Sequence, residues 1–466
     1  NGRDVLAYSP VNSSLSKSGY APTGLNTYAA GMSISNKEFS LSARGTYYEV
    51  GSAFGNLYAL PNDDGKQKMP SWYIEGKYTK EIFNEATVET KLGYMEDSWQ
   101  SYAKSFPSGI VLAKPGGGTT VYPDGYWADL YAKNRIEYIG ASLTYEGFES
   151  HSAKLGVYLS DEKALKSHSI TTNKYTGVGW YDYTDTMPVF DADAAKRKTS
   201  KVYVNDMWEI RDNLVLSYGV ESDKGSDFDR QNDYRAALVW QVTDSDILKF
   251  MTATAYRAPA WQEMYVLNNP ARVGNRDLKP ERVRTYETQY IKKMHDKGTL
   301  SLNLFLLQNK NLINKSNSSN QYRNAADSTI YGTEFEYKKE FMNGSFYYLG
   351  YSYIDGNSSP GDDLSSSANH MFKTALVHEL GGGFSLGTTL IYVGEKNRAY
   401  TDSRDDTPAY TTLDLALSYE SKKWGARLGL RNAANATVLY PSEQNTYAND
   451  YPTNKQFLFL KLFSRF

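Results

Sequence analysis

The sequence predicts an all-β chain, a transmembrane antiparallel up-and-down β-barrel, and three observations predict it. The 466 residues have a mean hydropathy of −0.58, yet carry 40 tyrosines and 8 tryptophans. No window approaches the roughly 18 consecutive apolar residues of a membrane helix. Apolar and polar residues alternate with the period of two that marks half-buried strands. A polar average with many aromatics is what such a barrel gives, because lumen and loops are wet and only every second strand residue meets lipid.

The alternation is clearest in three stretches. Leu413, Leu415, Leu417 and Tyr419 share one face opposite Asp414, Ala416 and Ser418. Leu300, Leu302, Leu304 and Leu306 oppose Ser301 and Asn303, and Leu214, Leu216, Tyr218 and Val220 form a third row. A soluble sandwich alternates too, so the connections decide. Short ones fall near 36–38, 83–85, 147–150, 211–212, 243–245, 295–297, 342–343, 381–383 and 421–423. Long ones fall between them, near 53–70, 103–125, 168–197, 222–229, 259–282, 312–321, 355–368, 396–408 and 441–454. One rim of tight turns and one of long loops is the habit of outer-membrane barrels, and a Greek-key sandwich does not sort its loops this way.

This spacing gives about 19 strands, and antiparallel closure asks for an even number, so about 20–22 are expected. Residues 25–466 form the barrel. Residues 1–24 are an outer loop or the end of an early strand, with Asp4–Tyr8 as that end. The first strands are expected upstream of this sequence.

Composition excludes other classes. Cysteine is absent, which removes disulfides and thiolate chemistry. The net charge of −2 leaves no nucleic-acid footprint. Gly116-Gly117-Gly118 precedes no helix and reads as a loop tip, not a phosphate cradle. Asp362-Asp363 and Asp405-Asp406 read as solvated loops. No nucleophile motif supports an enzyme, and no cofactor or resident metal is expected.

In the last strand, Leu458, Leu460, Leu462 and Phe466 share the lipid parity, and Lys461 and Arg465 the lumen parity. Phe457, Phe459 and Phe463 also fall on the lumen side, so the alternation there is imperfect. The terminal Phe466 resembles the signal read by the outer-membrane assembly machinery, an expected partner along with membrane lipid and lipopolysaccharide.

Tyr256-Arg257-Ala258-Pro259 is followed by Trp261-Gln262-Glu263-Met264-Tyr265, then by Asn275-Arg276-Asp277-Leu278-Lys279-Pro280-Glu281. This succession resembles the strand–loop–strand of TonB-dependent outer-membrane receptors, whose (F/Y)RAP, E-x-Y and NP-x-LKPE elements recur in that order. Arginine stands here where the family pattern has the proline of NP. Tyr322-Arg323-Asn324 and Leu430-Arg431-Asn432 fit the same family, and the resemblance runs from about Tyr28 to Phe466. Read physically, Pro259 ends its strand, since it cannot donate to the ladder and restricts Ala258. Arg257 and Glu281 stand at the mouths of two strands joined by one loop, where they can bond each other or pin the loop. Tyr256, Arg257, Pro259, Glu263, Pro280 and Glu281 are therefore read as shaping a loop.

The resemblance implies a receptor that imports a metal chelate, with the TonB complex engaged through a plug domain that residues 1–24 do not supply. A ferric siderophore leads. Haem receptors of the family place a histidine between the RAP and NP-x-L elements, and Ala260–Gly274 has none. The chain holds only His151, His168, His295, His370 and His378, with His168 expected in a long loop and His370 at an outer strand end. Tyr126, Trp127, Tyr175, Trp180, Tyr181 and Tyr322 offer aromatic faces, and Arg323 and Arg398 beside Tyr400 offer cations. Both suit an anionic chelate. The competing readings are an interfacial girdle for the aromatics and, for the chain, a plugless passive or structural barrel, a haem or cobalamin receptor, or a surface receptor exploited by phages and bacteriocins.

Overall fold

The computed structural model describes residues 4–7, 17–20, 24–51, 65–269, 272–316, 319–358, 362–399, 402–442, 450–453 and 455–464. Its main sheet is a closed barrel. The long strands are β1 Leu25–Ser35, β2 Phe39–Gly51, β3 Ser71–Phe83, β4 Ala86–Phe106, β5 Tyr126–Tyr145, β6 His151–Thr172 and β7 Lys196–Arg211. They continue with β8 Leu214–Gly225, β9 Gln231–Gln241, β10 Asp246–Arg257, β11 Glu281–Lys293, β12 Gly298–Lys315 and β13 Tyr322–Glu340. The circuit ends with β14 Phe346–Ser358, β15 His370–Gly381, β16 Phe384–Val393, β17 Tyr410–Glu420, β18 Trp424–Arg431 and β19 Phe457–Ser464.

These nineteen strands, counted among the described residues, are connected in sequence order, and every register from β1 through β19 is antiparallel. The sheet closes with β19 beside β1. Both run toward the short-turn rim, so closure comes without the even count the sequence argument asked for. At this junction β1 is exposed at every position. Asp4–Ala7 pairs with Lys17–Tyr20 in a two-stranded ribbon apart from the barrel.

Register carries one apolar face around the wall. Leu460, Leu428, Leu417 and Leu386 are successive cross-strand partners. Leu92, Ile139, Leu159 and, on the next row, Leu143, Leu155, Val204 and Val220 continue it. Leu458, Leu460 and Leu462 remain 64%, 64% and 70% exposed. In water such a surface would be intolerable, whereas a barrel turns it to lipid. Aromatics flank the belt. Phe39 packs on Tyr78, and Phe384, Tyr419 and Trp424 pack as a chain of tilted rings near the short-turn rim, while Trp72 packs on Tyr94 toward the other.

The opposite face is polar and paired. Lys77 meets Glu89 at 2.5 Å, Lys201 lies 3.3 Å from Glu221 and 3.2 Å from Asp223, and Arg235 donates to Asn205 at 2.8 Å. Asp233 and Glu221 are direct cross-strand partners, a like-charge pairing offset by Lys201 and by Arg282, which reaches Asp233 at 2.7 Å.

The lumen-facing phenylalanines of β19 have a steric reason. Gly429 and Gly425 on β18 are the cross-strand partners of Phe459 and Phe463. A Cβ at either glycine would stand 2.3–2.4 Å from the facing ring, so each ring lies flat over bare backbone. Tyr138 covers Gly93 and Tyr203 covers Gly156 in the same way. Two of the three lumen-side phenylalanines, Phe459 and Phe463, therefore form ring-over-glycine pairs, a known way to stabilise glycine in sheets, while Phe457 faces Arg431. Phe466 lies outside the described residues.

Several strands outrun the bilayer. β5 has 20 residues, about 66 Å at 3.3 Å each, where a tilted strand needs only about 9–11 residues to cross. On its lipid parity Tyr145, Leu143, Ala141 and Ile139 are followed by Glu137, Arg135 and Lys133. The wall thus continues beyond the apolar belt, and Ala103–Phe106 and His168–Thr172, expected in loops, are strand.

Candidate functional site

The long-loop rim is built from three loops bound to one another. The connection 173–195 meets 258–280 through the bridge Phe190–Val266, and 258–280 meets 316–321 through Val273–Gln321. Ala195, Met264, Tyr265, Leu278 and Ile313 form a buried cluster, with Phe190, Trp261 and Tyr322 packed against it. The loop after β10 contains one helical turn, α1 Trp261–Tyr265, which alternation arguments could not show because one turn has no period to read.

The sequence motifs meet here. Arg257 Nε donates to Glu281 Oε2 at 2.6 Å, and its two terminal nitrogens donate to the two oxygens of Glu263, each at 3.0 Å. Glu263 also accepts the Ala260 N–H at 2.7 Å, capping α1. Glu281 accepts the Ile313 N–H at 2.7 Å. The guanidinium of Arg257 is held charged by these carboxylates, chiefly by its hydrogen bonds to Glu281 and then Glu263. Both alternatives for Arg257 and Glu281 are therefore realised: they bond, and they pin the loop. Arg197, unmarked in the sequence, holds Asp227 with a bidentate pair and donates to the Pro259 carbonyl at 2.8 Å. Arg276, which replaces the family proline, reaches Asp191 at 2.5 Å and lies over Tyr265. Asn324 brackets Lys279, accepting its N–H and donating to its carbonyl, both at 2.9 Å. Pro280 follows at the head of β11.

The connection 107–125 is a hairpin, Ile110–Ala113 against Thr119–Tyr122, and Gly116, Gly117 and Gly118 all turn it at positive φ. It packs on the lumen parity of β5 through Phe106, Ile110, Tyr122, Tyr126 and Ala128. Burial pushes Tyr122 and Tyr126 each up to about 12. Burial likewise pushes Lys174 down, with its ammonium over Tyr183 at 4.7 Å.

The expected ligand residues are dispersed by this geometry. Tyr126 is sealed in the hairpin cluster, and Tyr322 packs on the three-loop cluster. Trp127 shares the parity of Ile139, so it stands on the outside of the wall with Tyr102 at 5.5 Å, and Trp180 stacks on the same Tyr102 at 5.9 Å. Tyr175 and Tyr181 are exposed, and Tyr181 pairs with Thr171 on the lumen parity of β6. Arg323 is exposed on the strand face opposite Tyr322. Arg398 is spent internally. Its guanidinium is 7% exposed, donates to Asp450 at 2.7 Å and to the Asp405 carbonyl, while its N–H is accepted by Asp406. Nearby, Asp402 is held below the usual carboxylate range, chiefly by Arg404. Tyr400 lies outside the described residues, as do the side chains of Asp362 and Asp363.

No histidine faces the lumen. His151, His168, His370 and His378 all fall on the outer parity of their strands, partnered across register with Trp208, Tyr131, Tyr353 and Leu386, and His295 sits in the short turn 294–297. His168 is in β6, stacked on Tyr131, rather than in a loop.

The family model described as "TonB dependent receptor-like, beta-barrel" matches residues 8–433. The chain belongs to that family. The barrel is accordingly an outer-membrane one, with tight turns in the periplasm and long loops outside. Solved structures with the same fold include the ferric-catecholate import receptor Fiu of E. coli K12, at 13% identity and a TM-score of 0.70, covering 96% of this chain and 76% of that one. The ferripyoverdine receptor of Pseudomonas aeruginosa matches at 12% identity and 0.67, covering 94% and 64%. The copper transporter OprC matches at 12% identity and 0.75, covering 99% and 74%. The chain thus spans about two thirds to three quarters of these relatives.

Proposed function

We propose that this receptor barrel serves TonB-coupled uptake of a ferric siderophore, with a plug domain seated against its ion-paired lumen. The observation that carries the reading is the rim itself. Arg257, Glu263 and Glu281 bind the ends of one loop, and that loop is fused to two others into a rigid mouth above a polar channel. A receptor for a rare solute needs a fixed entrance, whereas a simple pore has no use for one. The side chains offered at the mouth are Tyr175, Tyr181, Arg276 and Arg323, aromatic and cationic groups suited to an anionic chelate. Histidine ligation of haem finds no support in the placement of the five histidines. Named relatives act on ferric catecholate and ferripyoverdine, which supports the iron-chelate class.

Quenching of tryptophan fluorescence in the purified protein tests this. Ferric catecholate, ferric hydroxamate, haem and cobalamin are titrated in parallel. Saturable quenching by one ferric siderophore is expected, weakened by Tyr181→Ala. Saturable binding of haem or cobalamin alone would refute the assignment.

A further inference from the structure

Above the apolar belt, β5, β6 and β7 carry cations in register on their outer face. Arg135 is the direct partner of Lys163, and Lys163 of Lys196. On the next row Lys133 faces Lys166. Like charges set directly opposite destabilise a sheet unless something between them is anionic. Part of the cluster is answered internally: Lys133 by Glu96 at 2.7 Å, Arg135 by Glu137 at 3.2 Å, and Lys198 by Asp161 at 3.6 Å. Among the described residues Lys163, Lys166 and Lys196 have no carboxylate partner, and the Nε of Arg135 is buried without an acceptor.

Position says what the anion is. Arg135 stands four residues beyond Ile139 on the same parity, about 13 Å along a tilted strand and so about 10 Å above the belt. The row immediately below is Glu137, Asp161 and Lys198, and beneath it lie Ile139, Leu143, Leu155, Val157 and Leu159, all exposed on the lipid side. The cationic row and the apolar strip together have the footprint of one amphiphile, with anions at headgroup height and hydrocarbon beneath. A soluble anion would have no use for the strip.

We propose that this wall holds a phosphorylated glycolipid of the outer leaflet, its phosphates on Lys163, Lys166, Lys196 and Arg135 and its acyl chains along the strip below. The site is separate from the mouth and does not depend on what the receptor imports.

The test titrates the purified protein, in a neutral detergent, with diphosphorylated lipid A and with its dephosphorylated form, read by native mass spectrometry. Lys163→Gln/Lys166→Gln/Lys196→Gln should weaken binding of the diphosphorylated lipid about 150-fold, taking about fivefold for each of the three cations at a membrane surface. The corresponding triple arginine variant should retain it, and dephosphorylated lipid should bind the wild type as weakly as the diphosphorylated lipid binds the glutamine variant. Equal binding by wild type and glutamine variant would overturn the proposal, as would competition by inorganic phosphate at lipid-like concentration. Should the triple variant fail to assemble, Lys196→Gln alone and a salt titration of the wild type decide. Affinity independent of salt overturns the site.

Discussion

Replacing Arg257 by alanine should loosen the loop after β10 without unfolding the wall. Arg257 makes three charge-assisted hydrogen bonds and is itself 45% exposed, while the Glu263 and Glu281 side chains are 15% and 17% exposed. Exposed ion pairs contribute about 0–1 kcal/mol, and breaking a buried pair costs about 3–5 kcal/mol. This clamp lies between, and its loss leaves two carboxylates facing each other, so about 2–3 kcal/mol of local stability should go. That corresponds to roughly 30- to 160-fold more opening. Hydrogen exchange over 258–280 in detergent measures it directly, because opening of the loop releases its protected amides. Arg257→Lys should recover less than half, since an ammonium cannot span both carboxylates with a planar fork. Protection within threefold of wild type in the alanine variant would refute the clamp.

Other outcomes follow from the same geometry. Tyr126 is raised to about 12 by burial. Its raised folded value means that the hairpin's stability is full below about pH 10 and is lost as pH climbs through about 12, by about 3 kcal/mol. Tyrosinate absorbance should show late-titrating groups, one fewer in Tyr126→Phe, and a wild type without any would contradict the packing. Arg398→Ala strands Asp450, at 10% exposure, and should cost about 3–5 kcal/mol where loops 394–409 and 432–456 meet. Protease should then cut 394–409 faster while the barrel still resists heat in detergent, and unchanged cleavage would count against the network. Gly429→Val drives a side chain into Phe459, costing about 1–3 kcal/mol and lowering the folded fraction on unheated gels. Gly76→Val, where nothing lies within 4 Å, is the control, and equal behaviour of the two would refute the ring-over-glycine account.

The wall was legible because membrane strands obey a two-residue period and a two-rim loop rule. Short turns expected near 211–212 and 381–383 are tight hairpins in the structure. Legibility fails where the period loses its meaning. Above the belt the outer face of β6 is charged and the lumen side of the neighbouring β5 carries the hairpin, so His168–Thr172 shows no apolar alternation against lipid and reads as loop in the sequence. Trp127 borders the connection expected at 103–125, and counting parity back from Ile139 along the strand places it outside the wall. At the mouth, Arg257 and Glu281 were visible as neighbours of strand ends. Arg197 with Asp227, and Arg276 with Asp191, join residues far apart in sequence and left no local sign. Arg398 looked like a ligand cation because exposure and burial of a loop arginine look alike in a sequence.

The central claim, import of an iron chelate, is tested most directly by radioiron uptake. Cells lacking the gene, and the same cells carrying it again, are supplied in turn with ferric catecholate, hydroxamate and mixed-ligand siderophores. The account predicts that uptake of one chelate class is lost on deletion, returns with the gene, and depends on the energised inner membrane. Unchanged uptake of every chelate, or uptake that persists after the membrane is de-energised, would contradict it.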